Sequence, residues 1–158
     1  PDDAARFVRG LCELPLRPGA LAALTVADFD ARHKLLCIGH DKAGEGRFIP
    51  LPPATSKLIA EEARSKLPGA PLFARWDGAA WNKFAWMKVI HEAVAAAGLP
   101  SQTTAYTLRH SVITDLVVGG LDLHTVAKVS GTSVAMIEKY YGKLRQDVAR
   151  DALAALAL

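Results

Sequence analysis

Cysteine is scarce in this chain. Two of its 158 residues are cysteines, Cys12 and Cys37, and they stand in unrelated segments. Two isolated thiols argue against a disulfide scaffold and are typical of a protein from a reducing compartment. Neither a C-x-x-C pair nor a Cys/His zinc pattern is present, and the five histidines share no ligand spacing. The sequence therefore predicts a cytoplasmic protein with no metal site and no other cofactor.

Long apolar runs and low-complexity segments are also missing. No stretch approaches the roughly 20 apolar residues that a membrane helix needs. The first ten residues carry acids where a signal peptide has basic residues, so we expect neither a membrane segment nor a signal peptide. A hydrophobic share of 51% beside 22% charged residues is ordinary for a globular domain. The net charge of +3 permits a nucleic-acid partner without requiring one.

Several common catalytic motifs are absent too. Gly44 and Gly46 lie near Lys42, but the G-x-x-x-x-G-K-[ST] order of a phosphate-binding loop is missing. His91 begins an H-E pair like that of a zinc protease, but Ala95 stands where the second histidine is needed. No G-x-S-x-G nucleophile elbow occurs. These absences argue against a nucleotide hydrolase, a zinc protease and a serine hydrolase of the α/β type.

The chain does contain a regular hydrophobic periodicity, interrupted by glycine and proline. Apolar residues at helical spacing indicate helices over 3–14, 18–25, 54–67, 79–97, 104–118, 123–130, 133–140 and 146–157. Segments 34–38 and 47–51 are typical of two strands joined in a hairpin, and 70–73 of a short third strand. The pattern predicts one α/β domain, mostly helical (α+β), with a small antiparallel sheet.

Four features that suit phosphate chemistry follow one another along the chain. Arg17 stands in LRPGAL at a predicted helix start, and Lys42 stands at the tip of the predicted hairpin. Arg109 stands in the helical segment YTLRH, and Tyr141 stands in YYGKL, ten residues after Gly131. Each feature alone is unspecific, but the ordered set resembles the tyrosine recombinases, the phage-integrase-like enzymes that cut and rejoin DNA.

The resemblance covers nearly the whole chain and carries structural expectations. It implies a tyrosine-recombinase-like catalytic domain with a small antiparallel sheet and about six to seven helices. Pro1 stands where an initiator methionine would be, and members of this family usually have an N-terminal DNA-binding domain. We therefore expect residues 1–158 to be the single C-terminal catalytic domain of a longer integrase-like protein.

The resemblance also implies a role for each of the four residues. Arg17 and Arg109 would bind the scissile phosphate, since guanidinium groups hold phosphate oxygens in bidentate fashion and stay protonated. Tyr141 would be the nucleophile that forms a 3′-phosphotyrosyl link, which conserves the energy of the broken bond. Lys42 would give the leaving 5′-oxygen its proton. This scheme needs neither a metal nor a cofactor.

The sequence departs from the family pattern at three positions. Ala20 replaces an acidic residue after the first arginine, and Tyr106 replaces a histidine three places before the second. Thr132 stands where histidine or tryptophan usually follows the glycine. We include Tyr106, Thr132 and His110 as auxiliary active-site positions, although a structural hydrogen bond is the simpler interpretation of His110. The alternative function is a catalytically degenerate DNA-binding module of the same fold.

Two further interpretations stay open, together with the choice of nucleophile. A type IB topoisomerase uses similar residues, although the short chain and its L-R-H segment favour the integrase-like group. An unrelated helical interaction domain would require the ordered set to be a coincidence. One of Tyr140 and Tyr141 should pack inward and the other outward, and we prefer Tyr141 for its distance from Gly131.

Double-stranded DNA is the expected partner. Seven cationic side chains are candidates for phosphate contacts: Arg47, Lys83, Lys88, Arg109, Lys139, Lys143 and Arg145. The segment 146–157 is too short and too rich in alanine to be a stable helix alone. We expect it to dock on its own domain or, as the family implies, on a neighbour in a DNA-assembled homotetramer. The expected location is the cytoplasm, on the nucleoid if the host is bacterial.

Overall fold

A computed structural model describes residues 2–39 and 46–156 of the protein. In these residues the chain forms seven α-helices and three short strands, which confirms the predicted mostly helical α+β fold. Their bounds, in chain order, are α1 Asp2–Glu13, α2 Pro18–Ala22, β1 Phe29–Asp30, β2 Leu35–Ile38, β3 Arg47–Pro50, α3 Pro53–Ala63, α4 Lys83–Ala96, α5 Ala105–Val118, α6 Leu123–Ser130 and α7 Val134–Ala154. No helix in the described ranges is both long enough and apolar enough to span a bilayer.

The three strands form an antiparallel sheet in the order β1-β2-β3. In the register, Leu36 of β2 lies between Phe29 of β1 and Ile49 of β3. Burial alternates along β3, where Arg47 and Ile49 face inward and their neighbours face outward. This two-residue period matters for the site, because it points the charged Arg47 side chain to the buried face of the sheet.

The sheet confirms two predicted strands and contradicts the third. Segments 34–38 and 47–51 contain β2 and β3, but the remaining strand is Phe29–Asp30 rather than 70–73. The 70–73 segment makes only an isolated bridge between Pro71 and Thr25. Its apolar residues reflect burial in the core rather than strand pairing, and a proline cannot donate to a strand ladder.

Capping residues set the helix boundaries near the site. The Asn82 side chain accepts a hydrogen bond from the Ala85 amide, so α4 begins at 83 rather than at the predicted 79. Thr104 caps α5, and Asp122 caps α6. At the other end of α6, Gly131 adopts φ 66°, the left-handed conformation that glycine accepts at low cost.

The C-terminal region is one helix rather than the two predicted. α7 runs from Val134 to Ala154 without a break at Gly142, so the prediction of separate helices over 133–140 and 146–157 is wrong. Ile137, Tyr141 and Leu144 recur at helical spacing and pack on one hydrophobic cluster. This packing outweighs the cost of about 1 kcal/mol that a glycine adds to a helix interior.

Two hydrophobic clusters make up the core, and α5 belongs to both. The larger cluster joins α1, α2, the sheet and α4, and includes Ala105 at the start of α5. The smaller cluster joins α5, α6 and α7, and includes Ile113 and Val117 further along α5. Arg109 lies between these two contact regions. The fold therefore places this arginine where the two clusters meet.

Candidate active site

Arg109 is a buried cation on α5, with 6% of its surface exposed. Its guanidinium donates to the Pro15 carbonyl, and its Nη2 donates to the Ser130 carbonyl oxygen at 2.9 Å. Burial, followed by the nearby cations Arg17 and Arg47, lowers the pKa of Arg109 to about 10. The group is still protonated at neutral pH, so a full positive charge is held inside the domain.

Arg17, from a distant segment near the N-terminus, contacts the residue next to Ser130. It is the N-cap residue of α2, with extended backbone angles, and Pro18 begins the helix behind it. Its Nη1 donates to the Gly131 carbonyl oxygen at 2.9 Å. Whereas Arg109 is buried, Arg17 is exposed. The two arginines that the sequence singled out therefore converge on adjacent backbone carbonyls.

Arg47 is the third arginine at this place, and we call Arg17, Arg47 and Arg109 together the arginine cluster. It is buried at the start of β3, and its Nε donates to the Val129 carbonyl oxygen at 3.3 Å. A Cβ atom added at Gly131 would collide with the Arg47 guanidinium. Glycine at 131 is therefore required twice, once for its positive φ and once for the approach of Arg47.

The end of α6 explains why three like charges can share one place. Val129, Ser130 and Gly131 supply the accepting carbonyls, and they are the last groups of a helix whose C-terminal end carries partial negative charge. Among residues 2–39 and 46–156, neither Arg17 nor Arg109 is paired with a carboxylate. Their full charges are therefore available to a bound anion.

Tyr141 faces inward from α7 towards this region. It is 7% exposed, whereas the neighbouring Tyr140 is 59% exposed and has the Lys139 ammonium 5.3 Å from its ring centroid. The Tyr141 hydroxyl forms a hydrogen bond with Nδ1 of His110. Burial raises the pKa of the Tyr141 phenol, and the positive charge of Arg109 opposes that rise.

The remaining predicted site positions are Tyr106, Thr132 and Lys42, and they differ in their surroundings. Tyr106 is exposed in the first turn of α5 and lines a groove of about 430 Å³ between α4 and α5. Thr132 is half-buried directly after Gly131, and its amide donates to the Ala127 carbonyl. Lys42 lies outside the described residues.

The structure also sorts the seven candidate DNA-contacting cations. Lys83, Lys88, Lys139 and Lys143 are exposed, which makes them accessible to the phosphate backbone of DNA. Arg145 is half-buried and donates to the Leu121 carbonyl oxygen at 3.3 Å. As described above, Arg47 and Arg109 are buried in the arginine cluster. The sequence contained a signal for Arg47, since it alternates with Ile49 on the inward face of a strand.

In the described part of the chain, no group of three histidine, cysteine, aspartate or glutamate side chains could hold a metal ion. The site consists instead of three arginines that contact the last carbonyls of α6, and of a tyrosine on α7. Such a set of groups can bind a phosphate and attack it with a phenolic oxygen.

Comparison with known families supports the same interpretation. The model of the phage integrase family matches residues 5–147. The chain belongs to this family. The match spans all the described site residues and the segment that contains Lys42.

Curated relatives of this chain are named as tyrosine recombinases. XerC of Rhizobium meliloti is 31% identical over an alignment of 134 residues, and the match covers 80% of this chain and 41% of XerC. XerD of Corynebacterium glutamicum is 28% identical over an alignment of 153 residues, and the match covers 90% of this chain and 50% of XerD. The chain thus spans no more than half the length of these relatives.

Solved structures of low sequence identity share the fold. An integrase of the Tn1549 transposon, in complex with transposon right-end DNA, has a TM-score of 0.82 at 18% identity, covering 99% of this chain and 60% of that one. The XerA recombinase has a TM-score of 0.74 at 19% identity, covering 99% of this chain and 64% of that one. The fold is therefore that of a tyrosine-recombinase catalytic domain.

Proposed function

We propose that this chain is the catalytic domain of a site-specific DNA recombinase that cuts and rejoins DNA through a 3′-phosphotyrosyl intermediate. The observation that carries the proposal is the convergence of Arg17 and Arg109, without carboxylate partners, on the end of α6. Tyr141 reaches the neighbourhood of Arg109 from the next helix, close enough for each to influence the pKa of the other. Family membership and the names of the relatives support the same function.

In this proposal the arginines bind the non-bridging oxygens of the scissile phosphate. Negative charge grows on those oxygens as the phosphorus becomes five-coordinate, and fixed cations stabilise that state more than the ground state. Backbone carbonyls hold the guanidiniums in advance, so little reorganisation is needed when DNA binds. Tyr141 attacks the phosphorus, and Lys42 protonates the departing 5′-oxygen.

The alternative, a degenerate DNA-binding module, has less support. It is based on three departures from the family pattern, Ala20, Tyr106 and Thr132, of which Ala20 cannot orient Arg17 as a carboxylate would. In this fold the Gly131 carbonyl performs that orienting task at 2.9 Å. A backbone acceptor leaves the net positive charge of the pair intact, which favours binding of an anionic phosphate.

Double-stranded DNA is the proposed partner, and the proposed location is the cytoplasm, on the nucleoid of a bacterial host. The exposed lysines on α4 and α7 would add contacts to the phosphate backbone, and these would weaken with salt. We propose that the C-terminal half of α7, in which Leu153 is exposed, takes part in a homotetramer assembled on DNA. Deletion of 146–158 should abolish DNA-dependent assembly, and unchanged assembly would reject this contact.

A trapping experiment tests the proposed chemistry. The full-length protein is incubated with a duplex that carries the recombination site of this protein and a nick close to the cleavage position. The short fragment with the freed 5′-hydroxyl then diffuses away, and the covalent complex accumulates. An SDS-resistant protein–DNA adduct is expected from the wild type and from the matched control Tyr140→Phe, and none from Tyr141→Phe. Normal DNA binding by the wild type without any adduct would favour the degenerate module instead.

A further inference from the structure

The nucleophile of the proposed reaction requires a proton acceptor. A phenol has an ordinary pKa of about 10, so it is neutral at physiological pH. Burial raises the pKa of Tyr141 further, which makes the neutral form more dominant. Attack on phosphorus by an undeprotonated phenol would leave a cationic oxygen. Some group must therefore remove the proton from Tyr141 during the attack.

The position that the family pattern gives to histidine, and the one that it gives to histidine or tryptophan, do not provide that group here. Tyr106 and Thr132 occupy them, and neither a phenol nor an aliphatic hydroxyl accepts a proton readily at neutral pH. Tyr106 is also 54% exposed in the first turn of α5, whereas Tyr141 is buried. Within the described ranges, the Tyr141 hydroxyl makes its hydrogen bond to a different residue.

That residue is His110. It follows Arg109 directly on α5, and one residue along a helix corresponds to a rotation of about 100°. Arg109 thus points to the end of α6, whereas His110 points to α7. The His110 Nδ1 meets the Tyr141 hydroxyl, and the two ring centroids lie 6.0 Å apart. One helical step therefore supplies both a phosphate ligand and a contact to the attacking oxygen.

We propose that His110 is the general base that activates Tyr141, an inference that rests on the proposed function. The neutral imidazole carries its hydrogen on Nε2 and leaves the Nδ1 lone pair for the phenol proton. As the Oη–H bond breaks towards Nδ1, the Tyr141 oxygen bonds to phosphorus and the bond from phosphorus to the 5′-oxygen breaks. The 5′-oxygen takes a proton from Lys42.

The rejoining step runs the same transfers backwards. The incoming 5′-hydroxyl gives its proton to the neutral Lys42 amine and attacks phosphorus. The bond between phosphorus and Tyr141 breaks, and the His110 imidazolium returns its proton to the phenolic oxygen. His110 and Lys42 therefore both end the cycle in their starting protonation states, and no external acid, base or oxidant is consumed.

Substitution at His110 tests the proposal in the same trapping assay. His110→Gln keeps a hydrogen-bonding side chain but cannot accept the proton, so the rate of adduct formation should fall about 10²-fold or more. DNA affinity and the urea unfolding midpoint should stay close to those of the wild type. His124→Gln, on the exposed surface of α6, is the matched control and should retain the wild-type rate.

Two further measurements separate proton transfer from mere positioning of Tyr141. Free imidazole should restore part of the rate to His110→Ala, because it can accept the proton that the variant cannot. A substrate with sulfur at the 5′-bridging position needs no acid for its leaving group. It should rescue Lys42→Ala but not His110→Gln.

The outcomes distinguish this inference from the proposed function. If the wild type forms the adduct and His110→Gln forms it at a similar rate, His110 is not the base, although the recombinase function stands. Rescue of His110→Gln by the sulfur substrate would also overturn the inference, because it would place the histidine on the leaving-group side. Absence of an adduct from the wild type would instead count against the proposed function itself.

Discussion

The two halves of the candidate site are built in different ways. On the phosphate side, three arginines from α2, β3 and α5 are held by successive carbonyls at the end of α6. On the nucleophile side, the one side-chain hydrogen bond of Tyr141 within residues 2–39 and 46–156 is to His110, and the ring otherwise packs on the apolar cluster along α7. The comparison indicates that the anion pocket is fixed by the fold, whereas the attacking group is attached to one helix. Substitutions on the phosphate side should therefore change the free energy of unfolding and the rate of adduct formation together. Substitutions on the nucleophile side should change one of these quantities without an equal change in the other.

The largest effect is expected from Gly131→Ala, which attacks the phosphate side. The left-handed backbone alone costs a non-glycine residue about 1–2 kcal/mol. The new Cβ would also displace the Arg47 guanidinium and disturb the carbonyl that orients Arg17. The free energy of unfolding in urea should fall by about 2 kcal/mol or more, and adduct formation should be lost.

Gly69→Ala is the matched control for this change. Gly69 has no positive φ, and nothing lies within 4 Å of a Cβ placed there, so its stability should change by less than about 0.5 kcal/mol. Equal behaviour of the two variants would show that the end of α6 is not the fixed part of the site. The contrast between the halves would then be lost.

A smaller effect is expected on the nucleophile side from titration of Tyr141. Because burial raises the pKa of this phenol, the folded protein keeps its proton at a pH where the unfolded chain has lost it. The contribution to stability is thus complete below the ordinary value of about 10 and is lost as pH rises through the folded value. Phenolate absorbance, taken as the difference between wild type and Tyr141→Phe, should give a midpoint above that of a free phenol. A midpoint at or below the free value would contradict the buried placement of the ring.

The sequence predicted the elements of the site better than their connections. Helical and strand periods located α5, α6, β2 and β3, and the ordered set of Arg17, Arg109 and Tyr141 indicated the family. Arg47 was expected to contact DNA, because arginine usually lies at the surface. Its alternation with Ile49 on a strand was the signal that it faces inward. The contact between His110 and Tyr141 depends on how α5 and α7 pack, which no local pattern encodes.

The errors have a common physical origin. Local signals for a break, such as Gly142 in α7, were outweighed by packing that continues along the same helix face. In the opposite direction, the apolar run at 70–73 was interpreted as a strand when burial in the core was its cause. Sequence periodicity reports which side chains are buried, but it does not report which partner buries them.

The smallest effect is expected from Gly142→Ala, which tests whether α7 is continuous beside the nucleophile. Alanine is favoured over glycine in a helix interior by about 0.5–1 kcal/mol, and a Cβ at 142 would come no closer than 4.0 Å to Glu138. Urea unfolding should therefore show a gain of this size. Destabilisation would mean that the chain breaks after Tyr141, as the glycine suggested. A gain in stability together with slower adduct formation would show that Tyr141 needs a flexible helix to reach the phosphate, whereas an unchanged rate would mean that the rigid helix already presents it.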